Sequence, residues 1–139
     1  YSNAPFKFVV CGTQVLNTVS PYDKLLDFPV EYYDLMNFLD SNKVSGVMFM
    51  SGDRHHTEII RRTRENNYTL YDITLSALTS GMYPFSGPEK DHPDRVLGVS
   101  EKQNYGRMSI NGERGKRKLT VEIIGIYGKP LSIWSIMES

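Results

Sequence analysis

The order of apolar and polar positions in the first fifty residues predicts a strand, a helix and a second strand. Residues 6–11 are β-branched and aromatic and end at a glycine, which is typical of a largely buried strand. Apolar side chains recur at helical spacing over residues 32–39, behind a proline that suits a first helical turn. Residues 44–50 are almost all apolar, and the run is too short for a helix, so it predicts a strand covered on both faces. This arrangement favours parallel strands with the helix on one face of their sheet.

The second half of the chain predicts further strands. Residues 57–64 and 68–78 flank Asn66-Asn67, a dipeptide that suits a tight hairpin turn and therefore predicts antiparallel strands. Residues 79–98 are rich in Gly, Pro, Ser and Asp and predict a long ordered loop. Three strands at 106–110, 118–126 and 131–136 then predict an antiparallel β-meander. The whole pattern indicates an α/β fold in one unit spanning residues 1–139.

Composition limits the classes of partner. With 16 basic and 16 acidic residues the formal net charge is zero, so we expect no nucleic-acid partner. The single cysteine, Cys11, excludes an internal disulfide framework and a Cys-rich zinc site, and we interpret it as a small core residue. No run of 18 apolar residues is present, so the sequence predicts no membrane span.

Polar side chains cluster directly after the second predicted strand, in the run Ser51-Gly52-Asp53-Arg54-His55-His56. Ligands of α/β sheets bind at the carboxyl edge, where such a strand ends. A carboxylate and an imidazole two residues apart, Asp53 and His55, suit a divalent ion or trivalent iron. The alternative is that Asp53 caps a following turn and that His55 is an ordinary loop histidine.

The wider series of motifs resembles the PhoD-like alkaline phosphatase and phosphodiesterase family, part of the calcineurin-like metallophosphoesterase superfamily. The resemblance rests on Ser-Gly-Asp-x-His after a strand, on residues 71–81, and on Asn104-Tyr105-Gly106 before the closing strands. It implies that residues 1–139 are the C-terminal half of an α/β/β/α sandwich. It also implies that Asp53 and His55 are ligands of a multinuclear metal centre. Asn104 is interpreted as structural.

The chemistry implied by this resemblance is metal-dependent hydrolysis of phosphate mono- or diesters, with iron, calcium, zinc or manganese as metal ions. Arg54 has the planar donor fork that binds phosphate oxygens, and is equally compatible with a surface arginine paired with a carboxylate. His56 is expected to hydrogen-bond a leaving group or to orient His55. His92 is interpreted as a solvated loop histidine.

The early metal motifs of the family, an Asp with a nearby Tyr and an Asn-containing segment, are not found in this chain. We therefore expect the chain alone to be inactive, with a missing N-terminal half or self-association completing the site, and with an open sheet edge that needs a partner. Export of family members implies an extracytoplasmic location. The alternative function is a non-catalytic α/β interaction module.

Overall fold

A mixed sheet of five strands forms the centre of the fold. The computed structural model describes residues 2–65 and 68–138, and the strands are β1 (Lys7–Val10), β2 (Val47–Ser51), β3 (Thr57–Arg62), β4 (Leu70–Thr74) and β5 (Arg95–Val99). Their order is β1-β2-β4-β3-β5. β1, β2 and β4 are parallel, whereas β3 is antiparallel to β4 and β5. The parallel strand–helix–strand unit and the antiparallel pair are thus confirmed. The predicted turn at Asn66-Asn67 lies outside the described residues.

The helix α1 (Pro29–Ser41) covers one face of this sheet, after a short 3-10 turn at Leu25–Asp27. It begins at the proline, as the sequence predicts. Its buried side chains, Tyr32, Met36 and Leu39, pack against Val47 and Phe49 of β2 in one apolar cluster. At 13 residues α1 is the longest helix among the described residues, and none of these helices is long and apolar enough to cross a membrane.

A three-stranded antiparallel sheet covers the opposite face. It consists of β6 (Asn104–Asn111), β7 (Lys118–Gly125) and β8 (Pro130–Met137), with β7 in the middle. The inward side chains of β7, Leu119, Val121 and Ile123, pack with Met48 and Ile73 of the mixed sheet. The predicted β-meander and α/β class are confirmed, in three layers of helix, mixed sheet and antiparallel sheet.

The prediction that the first strand is largely buried is wrong for most of its length. Phe6 is buried, but Phe8, Val9 and Val10 are 39%, 42% and 79% exposed. β1 is the last strand of the sheet in the described residues, so it has β2 on one side and no strand on the other. An apolar sequence shows that a strand can be buried, whereas its burial depends on neighbours that the strand's own sequence does not specify.

The predicted loop over residues 79–98 also needs correction. It contains a 3-10 turn at Gly87–Glu89 and then β5, which pairs with β3. Gly98, which lies within β5, is demanded by packing: a Cβ atom there would lie 2.9 Å from ring carbon Cε2 of Phe85 and from Cδ of Arg95. The glycine therefore makes room for the Phe85 ring and does not mark a turn.

Candidate functional site

The turn between β2 and β3 places the predicted metal ligands at the carboxyl edge of the mixed sheet. β2 and β4, which are parallel, end side by side at Ser51 and Thr74. Asp53 and His55 both have left-handed backbone conformations, with φ of 65° and 57°. Such conformations are costly for residues other than glycine and are concentrated at functional sites, where surrounding contacts maintain them.

Four contacts hold His55 in place. Its backbone N–H donates to Ser76 Oγ at 3.0 Å, and its carbonyl accepts from the Tyr83 backbone N–H at 3.1 Å. Its ring stacks on the ring of Tyr83, with centroids 4.9 Å apart and an interplanar angle of 19°. Ser80 Oγ lies 3.3 Å from Nδ1 of the same imidazole. The orientation of this ring is therefore fixed before any ligand binds.

Asp53 is exposed at the start of the same turn. The residues that follow it are bends and then β3, which begins at Thr57, so no helical turn is present for Asp53 to cap. Its carboxylate and the imidazole of His55 both line one cavity. This arrangement leaves the carboxylate accessible to a cation.

Arg54 points into the protein. Its side chain is 6% exposed, and Nη2 donates to Glu89 Oε1 at 2.6 Å in a buried ion pair. Nη1 contacts Ser20 Oγ and lies 3.3 Å from Gln14 Oε1, and the Tyr22 ring covers the guanidinium at 4.9 Å. The carboxylate pairing of the alternative interpretation is therefore present, but Arg54 is buried and does not lie at the surface.

His56 lies beneath the turn and is 2% exposed. Its ring packs on Phe85 at 4.5 Å between centroids, and Nε2 lies 3.4 Å from Glu58 Oε1. Neither ring nitrogen forms a hydrogen bond of normal geometry with any residue in 2–65 or 68–138. Buried polar atoms without partners are rare, and His56 is also one of the residues that line the cavity described next.

The cavity above these residues has a volume of about 360 Å³. Besides the four residues of the turn, its walls come from the loop after β1 and the loop after β4. These wall residues are Pro21, Tyr22, Asp23, Tyr83, Pro84, Ser86 and Glu89.

A buried polar network supports the site from below, and sequence reasoning did not find it. Glu58, which is fully buried, accepts hydrogen bonds from Gln14 Nε2 at 2.7 Å, Asn17 Nδ2 at 3.1 Å and Arg95 Nε at 2.9 Å. Burial opposes ionisation of Glu58, but His56 and the donors Gln14 and Arg95 outweigh it and lower its pKa to about 2. The residues of this network come from distant parts of the sequence, so no local motif indicated it.

Asp72 is a second fully buried carboxyl group on the same sheet. Its Oδ2 accepts from the backbone N–H groups of Val15 and Leu16, at 2.7 and 2.8 Å, and so fixes the loop after β1. Oδ1 finds no partner in the described part of the chain. Burial raises the pKa of Asp72 to about 6 despite those backbone donors.

The structure contradicts the interpretation of His92 from the sequence and agrees with that of Asn104. His92 is not solvated: it is 5% exposed, its Nδ1 accepts from the Asp94 backbone N–H at 3.1 Å, and burial lowers its pKa. Asn104 Oδ1 accepts from Thr57 Oγ1 at 2.7 Å, which agrees with a structural role.

Within the described ranges, no three or more His, Cys, Asp or Glu side chains come together as a metal-binding group. Asp53 and His55 are therefore two predicted ligands, and a closed metal centre would require further donors.

Comparisons with known proteins bear on the fold. No family model matches the chain, and no curated protein matches it at a significant level. A solved structure described as "Structure of PhoD" matches 98% of the chain, with a TM-score of 0.66 and 14% sequence identity. The chain has a PhoD-like fold. It covers 30% of the length of that PhoD chain. At this identity the likeness is one of fold, and the predicted PhoD-like architecture is confirmed to that extent.

Proposed function

We propose that this chain forms part of a metal-dependent phosphoesterase, in which Asp53 and His55 are metal ligands and phosphate mono- or diesters are hydrolysed. The observation that carries the proposal is the Asp53-Arg54-His55 turn. It combines two left-handed non-glycine residues, a carboxyl strand edge and a cavity lined by both predicted ligands. The PhoD-like fold supports the same chemistry.

The residues fit a hard or borderline cation. An exposed carboxylate and an imidazole with a fixed orientation are donors that iron, zinc, manganese or calcium sites use. When bound, such ions polarise phosphoryl oxygens and lower the pKa of water. Asp23 also lines the cavity, while the charges of Arg54 and Glu89 compensate each other, so the lining favours a cation over a free anion.

His56 lines the cavity and is proposed to hydrogen-bond a leaving group through Nδ1, because Nε2 lies near Glu58. A direct contact between Arg54 and a phosphate oxygen stays a prediction. The bonds of Arg54 to Glu89 and Ser20 support a different role, in which Arg54 positions the turn.

Membership of the metallophosphoesterase superfamily, the remaining metal donors and the extracytoplasmic location also belong to the proposal. The further donors would come from a part of the parent protein outside residues 1–139 or from a second copy of the chain. The match to 30% of the PhoD chain and the two-ligand cluster support this view.

The first test uses Mn²⁺, because this ion broadens NMR signals near its binding site even when binding is weak. Titration of the chain should broaden the signals of residues 53–55 before all others. Asp53→Asn and His55→Gln should each abolish that selective broadening. Asp34→Asn, at an exposed position on α1, is the matched control and should retain it. Broadening centred elsewhere, or unchanged in Asp53→Asn, would contradict the proposal.

The interaction-module alternative is favoured by a different observation, the exposed apolar residues of edge strand β1. An unpaired edge of this kind is a template for strand addition by a partner. Folded chain that binds no Mn²⁺ at the turn but forms a stoichiometric complex through β1 would support this alternative.

A further inference from the structure

We infer that Tyr22 and Tyr83 form a binding site for a planar aromatic ring at the mouth of the cavity. The favoured ester would then have an aromatic or heterocyclic group next to its phosphate. The ester part rests on the proposed function, whereas the ring site itself requires no metal. Both tyrosines line the cavity, from the loop after β1 and the loop after β4.

Tyr22 is fixed to the turn through Ser20 and Arg54. The Tyr22 backbone N–H donates to Ser20 Oγ at 3.1 Å, and the same hydroxyl contacts the Arg54 guanidinium. The guanidinium also lies against one face of the Tyr22 ring, 4.9 Å from the centroid. The ring is nevertheless 60% exposed, so much of its apolar surface faces solvent.

Tyr83 is fixed in a similar manner through His55, one of the predicted metal ligands. Its backbone N–H donates to the His55 carbonyl, and its ring stacks on the His55 imidazole. It is 59% exposed. Arg54 and His55 are adjacent in sequence, so the two tyrosines are held by neighbouring residues of one turn and line the same cavity.

This arrangement differs from scattered surface tyrosines because it is preorganised. An aromatic side chain that is already oriented loses little conformational entropy when a ligand stacks on it. Tyr33 provides the contrast: it is 57% exposed on α1 and packs edge-on against Tyr32, away from the cavity.

Charge in the cavity points to the order of binding. Asp23 and Asp53 give the lining negative charge, since Arg54 is paired with Glu89. A phosphate anion therefore needs the cation first, whereas a neutral ring can occupy the tyrosine site without metal. This difference separates a test of the ring site from a test of the metal site.

The experiment is an NMR titration of the metal-free chain with adenosine, benzyl alcohol and ribose, following the ring signals of Tyr22 and Tyr83. Adenosine or benzyl alcohol should shift these signals saturably, and ribose should not. Tyr22→Leu and Tyr83→Leu should each weaken ring binding about two- to tenfold, the range of an aromatic pair. Tyr33→Leu, on α1 and away from the cavity, should leave it unchanged.

Tighter binding of adenosine identifies nucleotide esters as the source of the ring, tighter binding of benzyl alcohol identifies benzyl-type esters with a carbocyclic ring, and both support the inference. Equal shifts with ribose overturn it, as does ring binding that is unaffected by Tyr22→Leu and Tyr83→Leu. Because no metal is present, a negative result here leaves the Mn²⁺ test intact. If the Mn²⁺ test fails instead, the titration with adenosine, benzyl alcohol and ribose still decides whether the ring site exists.

Discussion

Arg54 and Glu89 form a buried ion pair with Nη2 and Oε1 2.6 Å apart, and their side chains are 6% and 2% exposed. Arg54 stands between the two predicted metal ligands, while Glu89 belongs to the 3-10 turn of the loop after β4. The pair therefore ties that loop to the turn after β2.

Removing one partner of this pair should destabilise the fold strongly. Glu89→Ala leaves the Arg54 charge buried without a carboxylate, which typically costs about 3–5 kcal/mol of unfolding free energy. Denaturant unfolding monitored by circular dichroism measures the loss.

The matched control is Glu122→Ala, which breaks the Arg107–Glu122 pair on the antiparallel sheet. Arg107 is 63% exposed there, so water replaces the lost contact and the change should be much smaller. Equal losses in the two variants would show that the buried pair has no special role.

The buried Asp72 carboxyl should make the fold less stable as pH rises from about 4 to 6. Its pKa in the folded protein is about 6 against a usual 3.8, so the folded state holds the proton more tightly and loses that advantage on ionisation. The two pKa units correspond to about 3 kcal/mol.

Asp72→Asn keeps an acceptor for the backbone N–H groups of Val15 and Leu16 and cannot ionise. Its unfolding free energy should not fall over this pH range. A parallel decline in the variant and the unaltered chain would rule out Asp72 as the cause.

Ionisation of Glu58 should stabilise the fold, which is the opposite of the effect at Asp72, and it should do so over a lower pH range. Its folded pKa of about 2 lies below the usual 4.5, so the stabilisation it gives is present above pH 4.5 and disappears as pH falls towards 2. Glu58→Gln should lower stability at neutral pH by about 3 kcal/mol and flatten the decline between pH 4.5 and 2. Acid unfolding curves of the two proteins test this, and identical curves would contradict it.

Packing around Gly98 gives a prediction that is independent of charge. In Gly98→Ala the new methyl group would overlap Phe85 and Arg95, and overpacking of this kind costs about 1–3 kcal/mol. Gly81→Ala is the control, since nothing lies within 4 Å of a Cβ atom there. Denaturant midpoints compare the two, and equal stability of both variants would show that the Phe85 ring moves freely aside.

The parts of the fold that were predictable are those with a local signal. Helical spacing and the proline at its first position located α1, and short strands separated by turns located β6, β7 and β8. The exposure of Val10 was missed because burial of an edge strand depends on its neighbours. β5 was missed because it lies at the end of residues 79–98, whose Gly, Pro, Ser and Asp content predicts a loop.

In the candidate site, too, residues with a local sequence signal were predicted, whereas those joined by long-range contacts were not. Asp53 and His55 were found because they follow one buried strand within five residues. The contact of Arg54 with Glu89 joins residues 35 positions apart, and Glu58 accepts hydrogen bonds from donors in two distant segments. Only the folded chain brings these groups together.

Phosphoester hydrolysis that needs a metal and Asp53, as proposed for the parent protein, can be measured as kcat/KM for an aryl phosphodiester in a parent polypeptide that includes this chain. We expect activity that a chelator removes and added metal restores. Asp53→Asn should lose more than about a hundredfold in kcat/KM, beyond what outer-sphere residues typically cost, while Asp34→Asn should be unaffected. Activity that survives the chelator, or that is equal in Asp53→Asn and Asp34→Asn, would rule out the proposed metal chemistry.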